Sequence, residues 1–146
     1  MKNVFKMIAF SLVFVACQHQ VKPEDVVKIN GYWEIENVEL PDGTVKNYTM
    51  NETYDFFEIK GNKGFRQKVM PRLDGTFETN ELQEKIEVLF ENGKTFLKYE
   101  TPYSKWREEL ESVSDQELVL LNAENKEYHY KKTTAINITG NGKKAE

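Results

Sequence analysis

Glu108 is the residue most suggestive of chemistry. It lies between Trp106 and Leu110 at a spacing of two, so in an extended strand all three side chains share one face. If that face looks inward, the carboxylate is costly to bury. It must then be paired with an inward Arg or Lys, sit at a wet mouth, or contact a ligand. General acid–base catalysis needs a second placed group, and the sequence offers none. His129 alternates with Tyr128 and Tyr130, which puts it on the opposite, solvated face, and His19 lies in a polar stretch. One Cys excludes a disulfide within the chain and any Cys-based zinc site, and two His are too few for a metal cage or a Ser-His-Asp relay. The motifs G-x-x-x-x-G-K, G-x-G-x-x-G, G-x-S-x-G and H-E-x-x-H are absent. The expectation is no catalytic residue, no metal and no cofactor. A net charge of -4 argues against a nucleic-acid partner, because phosphate-backbone binders concentrate positive charge.

The elements that would position these residues read as a run of hairpins. The chain has 146 residues, enough for one domain, with 39% hydrophobic and 30% charged residues. Turn signals recur along the chain, at Pro41-Asp42-Gly43, Gly61-Asn62, Asp74-Gly75, Asn92-Gly93, Pro102, Ser114-Asp115 and Asn122 to Asn125, the later ones about 8 to 12 residues apart. That interval suits an all-β barrel or sandwich. The expected strands are 31–39, 44–49, 53–60, 64–70, 76–80, 84–91, 94–100, 105–112, 117–122 and 126–132. Alternation is clear at Ile86, Val88 and Phe90 and again at Leu97 and Tyr99. The adjacent Phe56 and Phe57 suggest a bulge. Residues 104–112 contain strong helix formers, yet Pro102 and Ser114-Asp115 bracket them at hairpin length, which favours a strand.

The first 17 residues read as an address. Lys2 and Lys6 precede an uncharged apolar run from Met7 to Ala16, and the sequence turns polar at Gln18-His19-Gln20. The run is shorter than the roughly 20 residues a membrane-spanning helix needs and has the length of a signal-peptide core. The sole Cys, Cys17, follows Ala16 at this junction. The arrangement resembles the lipobox of bacterial lipoproteins, with Phe14 where Leu is usual. The resemblance implies a signal peptide over 1–16, cleavage before Cys17 and lipidation of Cys17 as the first residue of the mature protein. Loss of Lys2 and Lys6 would leave 18 of the 20 basic residues against 24 acidic ones, a net charge of -6. Residues 17–30 read as the lipidated Cys and a polar tether, 31–134 as the barrel and 135–146 as a flexible tail.

Gly31-Tyr32-Trp33 opens the first strand, and a serial meander of about eight strands follows. Late in the chain come Ser114-Asp115-Gln116-Glu117-Leu118-Val119-Leu120 and the Tyr-rich Tyr128-His129-Tyr130-Lys131. This combination is similar to the small lipocalin-like lipoproteins of Bacteroidota, within the lipocalin superfamily, over residues 30–132. The resemblance implies an antiparallel up-and-down β-barrel of about 8–10 strands. It places Gly31 and Trp33 at a closed base, with a late basic residue, Lys131 or Lys132, across the Trp ring. It also implies a monomeric, membrane-anchored module in the cell envelope, at the outer membrane facing the periplasm. Such a module would bind a small hydrophobic or amphipathic ligand. Phe57, Phe65, Tyr99, Trp106, Glu108 and Tyr128 are the candidate lining. A filled barrel that acts through protein contacts is the alternative, because a barrel of eight strands is just wide enough for either.

Overall fold

The structure, a computed structural model, describes residues 20–134. The leader, Cys17 and the tail from residue 135 lie outside the described residues. The chain forms a 3-10 helix, Pro23–Ile29, then nine strands. These are β1 (Gly31–Glu39), β2 (Val45–Asn47), β3 (Tyr54–Lys60), β4 (Lys63–Pro71), β5 (Phe77–Glu91), β6 (Lys94–Glu100), β7 (Lys105–Val113), β8 (Glu117–Leu121) and β9 (Glu127–Thr133).

β1 pairs with β3, each strand from β3 to β8 pairs antiparallel with the next, and β9 returns to β1, which closes an eight-stranded barrel. The short β2 folds back onto the far half of β1, from Asn37 to Glu39, while β3 takes the near half. Closure removes the unpaired sheet edges that invite aggregation. Tight turns fix the register. Asn92 and Gly93 both adopt positive φ, 50° and 76°, so a two-residue turn sets Glu91 against Lys94. The inward set of β6, Thr95, Leu97 and Tyr99, follows from that turn.

Several sequence expectations shift. The segment expected as a strand over 105–112 is one, β7 (Lys105–Val113), since burial of an apolar face outweighs helix propensity. Segments 76–80 and 84–91 are one strand, β5, which departs from even register opposite Gln67 to Val69. Phe56 and Phe57 create no bulge. β3 stays in register with β4, with Phe57 inward and Phe56 on the outer wall. Bulges fall instead in β1 between Ile35 and Asn37 and in β7 between Leu110 and Ser112.

The stretch expected to be a tether belongs to the fold from Val21 onward. Val21, Val26 and Ile29 are buried in the main core with Trp33, Ile59 and Leu97. Pro23, at the first helical position, presets its φ for the helix. The Asp25 carboxylate accepts from the Lys22 backbone N–H and from Lys28 Nζ. That side-chain contact is the main reason its carboxyl is held below the usual carboxylate range. Thr95 Oγ1 donates to the Val21 carbonyl at 3.1 Å, and Asn30 exchanges two hydrogen bonds with the Ile59 backbone. The helix therefore plugs one end of the barrel.

A satellite cluster lies on the outer wall. Tyr32 stacks on Phe77 with centroids 4.1 Å apart and meets Phe56 at 4.7 Å. Phe77 comes from the β4–β5 arm, so this arm curls over β1 and β3.

Candidate functional site

Strand parity decides what enters the barrel. At the plugged end Trp33 is fully buried, and its Nε1 donates to the Ile29 carbonyl at 2.7 Å. Lys132 Nζ lies 4.9 Å from the centre of the Trp33 ring system and donates to the Lys28 carbonyl at 2.8 Å. Burial moves this ammonium below the usual lysine range. Lys132 is thus the basic residue across the ring. Lys131, one position away, points out of the barrel and pairs with Glu34 at 3.4 Å. Gly31 takes φ +119, and a Cβ there would stand 3.1 Å from Lys132 Cε, so both backbone and space call for glycine.

The opposite end holds charges. Tyr99 and Trp106 face each other across β6 and β7 and stack, with centroids 5.1 Å apart and planes at 11°. Arg66, from β4, is only 9% exposed. Its guanidinium lies 4.4 Å from the Tyr99 ring centroid and 6.0 Å from that of Phe57. Its Nε donates to Glu84 and its Nη1 reaches Glu108 Oε2 at 3.4 Å. Nearby, the buried Asp55 carboxylate has Lys68 Nζ at 2.7 Å. Asp55 and Lys68 are cross-strand partners, as are Arg66 and Glu84.

These contacts set the protonation balance. Burial pushes the Glu108 carboxyl above its usual range, and the Arg66 guanidinium and Tyr99 hydroxyl pull it down only in part. Burial likewise pushes the Tyr99 and Tyr130 hydroxyls well up. Burial alone would favour neutral Arg66, but Tyr99, Asp55, Glu108 and Glu84 together hold it firmly charged. A lone cation in a dry barrel would be unsustainable, and this one is offset by carboxylates on two sides and two aromatic faces.

The sequence-derived lining therefore divides. Phe57, Tyr99, Trp106 and Glu108 meet around Arg66. Tyr128 packs on the margin of the core and its hydroxyl accepts from Asn122 Nδ2 at 3.4 Å. Phe65 does not join them. It lies outside, 6.0 Å from Phe56, because the Lys60–Lys63 hairpin register turns Arg66 inward and Phe65 out. Arg66, Glu84, Asp55 and Lys68 are the residues that sequence reasoning missed. An arginine flanked by Phe65 and Gln67 in an alternating strand was the available signal.

Large side chains occupy the interior, where Trp33, Phe57, Leu97, Tyr99, Leu118 and Leu120 are fully buried. Five clefts among the described residues have volumes of about 200 to 480 Å³, and none of these five is lined by Arg66, Glu108 or Trp106. Outside the barrel, His129 Nε2 lies 3.3 Å from Glu127 Oε2, so this histidine faces solvent beside an acid.

A family model for a lipocalin-like domain matches residues 29–120. Among solved structures, a lipocalin-like protein from Bacteroides uniformis is similar at 13% identity and a TM-score of 0.45, covering 73% of this chain and 99% of that one. An uncharacterized protein from Bacteroides eggerthii is similar at 12% identity and the same TM-score, covering 71% of this chain and 98% of that one. No curated protein matches the chain.

Proposed function

The chain belongs to the lipocalin-like domain family, and on that footing we propose that it is a lipid-anchored envelope module that binds a small amphipathic molecule at the charged end of its barrel. The observation that carries this reading is the Arg66–Glu84–Glu108 cluster beside the stacked Tyr99–Trp106 pair. Polar groups are expensive inside a barrel, and hydrophobic residues could have filled that end at less cost. Tyr99 is fully buried, so the partly buried Trp106 is the aromatic group a ligand would meet, beside a cation and two carboxylates that keep 10–21% of their side-chain surface exposed. An aromatic group next to a few placed polar groups suits an amphipathic ligand. The packing below the cluster limits such a ligand to the mouth. Anchoring through Cys17 follows from the lipobox, and the compartment that goes with it is the outer membrane facing the periplasm. The membrane is then a partner through the lipid, and the unit acts as a monomer.

A second reading has its own observation. The filled interior also suits a module that acts through protein contacts, with Arg66 and its partners serving only to fix the barrel.

The test is fluorescence titration with an organic extract of the envelope. Trp33 is sealed in the core and Trp106 is only partly buried, so a ligand at the mouth alters the emission of Trp106. A saturable change that Trp106→Phe abolishes supports the first reading. No change in either protein favours the second.

A further inference from the structure

The fold fixes where the chain enters the barrel, and that entry is at the plugged end. Val21 is buried, and its carbonyl accepts from Thr95. Gln20 lies against the β5–β6 turn, with its side-chain nitrogen 3.4 Å from where a Cβ on Gly93 would stand. Only Gln18 and His19 separate Gln20 from Cys17. An extended chain spans at most about 3.6 Å per residue, so Cys17 lies within roughly 11 Å of the barrel surface. The barrel itself is taller than this leash. The seven residues of β6 alone cover roughly 23 Å of strand.

We propose that the plugged end of the barrel rests directly on the bilayer that holds the lipid of Cys17, with the charged mouth facing away from it. This inference rests on the lipid-anchored reading above. The exposed side chains of this end fit a lipid surface. Val27, on the outer side of the helix, is 63% exposed, and Phe90 is 50% exposed in the cleft through which Gln20 to Pro23 run. The same end carries the exposed Lys22, Lys60 and Lys94, whose ammonium groups pair with Glu24, Glu58 and Glu109. These are long side chains of a kind that can lay apolar stems against a lipid surface with the charge in the headgroups. Glu24 and Glu91 share the same rim. The apolar pair and the short leash, more than net charge, make the contact.

The consequence for function is directional. A mouth held on the far side of the barrel cannot take its ligand sideways from the anchoring leaflet. The ligand must arrive from the aqueous phase or from a carrier on the opposite side.

The experiment uses the full, processed lipoprotein in vesicles of phosphatidylethanolamine and phosphatidylglycerol that carry nitroxide-labelled lipid. With Cys17 acylated, an introduced cysteine is the single free thiol. Val27→Cys reports the plugged end, and Tyr103→Cys, at a side chain 89% exposed in the β6–β7 turn, reports the mouth. Each is labelled with a small fluorophore. The expected result is that the label at 27 loses most of its emission to the lipid quencher while the label at 103 keeps it. A flexible Gly/Ser insert between Gln18 and His19 should restore emission at 27 with the protein still in the vesicle fraction. Equal quenching at both sites, or stronger quenching at 103, overturns the orientation. Mass spectrometry of the N-terminal peptide separates the two failures. An acylated Cys17 with equal quenching removes this inference alone, and an unmodified Cys17 removes the anchored reading and this inference together.

Discussion

Replacing Arg66 with Met removes the cation that lets three carboxylates sit at one end of the barrel. The methionine fills most of the space but leaves Glu84 and Glu108 without their partner, with Asp55 keeping only Lys68. Deleting one member of a buried pair costs about 3–5 kcal/mol, mainly because the stranded charge stays desolvated. Side-chain exposures of 10%, 21% and 12% for Arg66, Glu84 and Glu108 leave some access to water, which favours the lower figure, about 3 kcal/mol. With a urea dependence of about 1.5 kcal/mol per molar, that is a midpoint about 2 M lower at neutral pH. The deficit should depend on pH. The folded-state pKa of Glu108 is already raised above its ordinary 4.5 by burial, and loss of the guanidinium raises it further. Between the ordinary value and the raised one, the folded state binds more protons than the unfolded state. Stability is therefore fully present below the ordinary value and falls as pH rises through the raised one. The variant should regain part of its loss as pH is lowered from 7 towards 5, and Arg66→Met combined with Glu108→Gln should regain part of it at every pH. Urea titrations of the three variants at both pH values provide the assay. A midpoint for Arg66→Met close to wild type, or a loss that neither acid nor Glu108→Gln relieves, would refute the electrostatic reasoning.

The two tryptophans should separate folding from binding. Trp33→Ala should cost about 3–5 kcal/mol by urea titration, a large share of the roughly 5–15 kcal/mol a domain has. Trp106→Ala should cost less and should abolish the fluorescence response to envelope extract. Gly31→Ala places a side chain at φ +119 against Lys132, and it should lower the urea midpoint by the equivalent of about 1–3 kcal/mol; an unchanged midpoint would show that the plugged end tolerates a shift. Cys17→Ser should move the protein from the membrane pellet to the soluble fraction in cell fractionation, and retention in the pellet would contradict lipid anchoring.

Much of the barrel was legible because period-two patterns and tight turns are local. The spans of β1 and β6 follow directly from Gly31 to Glu39 and Lys94 to Glu100. What was not legible depended on register between distant strands. Glu108 could be placed on an inward face, but its partner Arg66 lies 42 positions away and meets it only when β4 to β7 align. The choice between Lys131 and Lys132 was a matter of parity, which the sequence left open until β9 was seen to pair with β1. Phe65 was misplaced because its aromatic character suggested the interior, while the turn at Gly61 set the opposite face. The plug was missed because its polar residues dominate the average, although Val26 and Ile29, with Val21 just before them, supply one apolar side to a helix too short for periodicity to stand out. The cluster around Arg66 shows the general limit. Composition reveals that charges exist, and only the closed sheet reveals which of them face one another.

Native mass spectrometry of the lipoprotein released from its own envelope in mild detergent tests the binding reading most directly, with wild type and Trp106→Ala prepared side by side. The predicted result is a wild-type population carrying one noncovalent small-molecule adduct that the variant lacks, while both share the same acylated mass. A wild-type spectrum showing only the acylated chain, in preparations where the fold is intact, would contradict ligand binding at the mouth and leave the filled barrel as a protein-contact module.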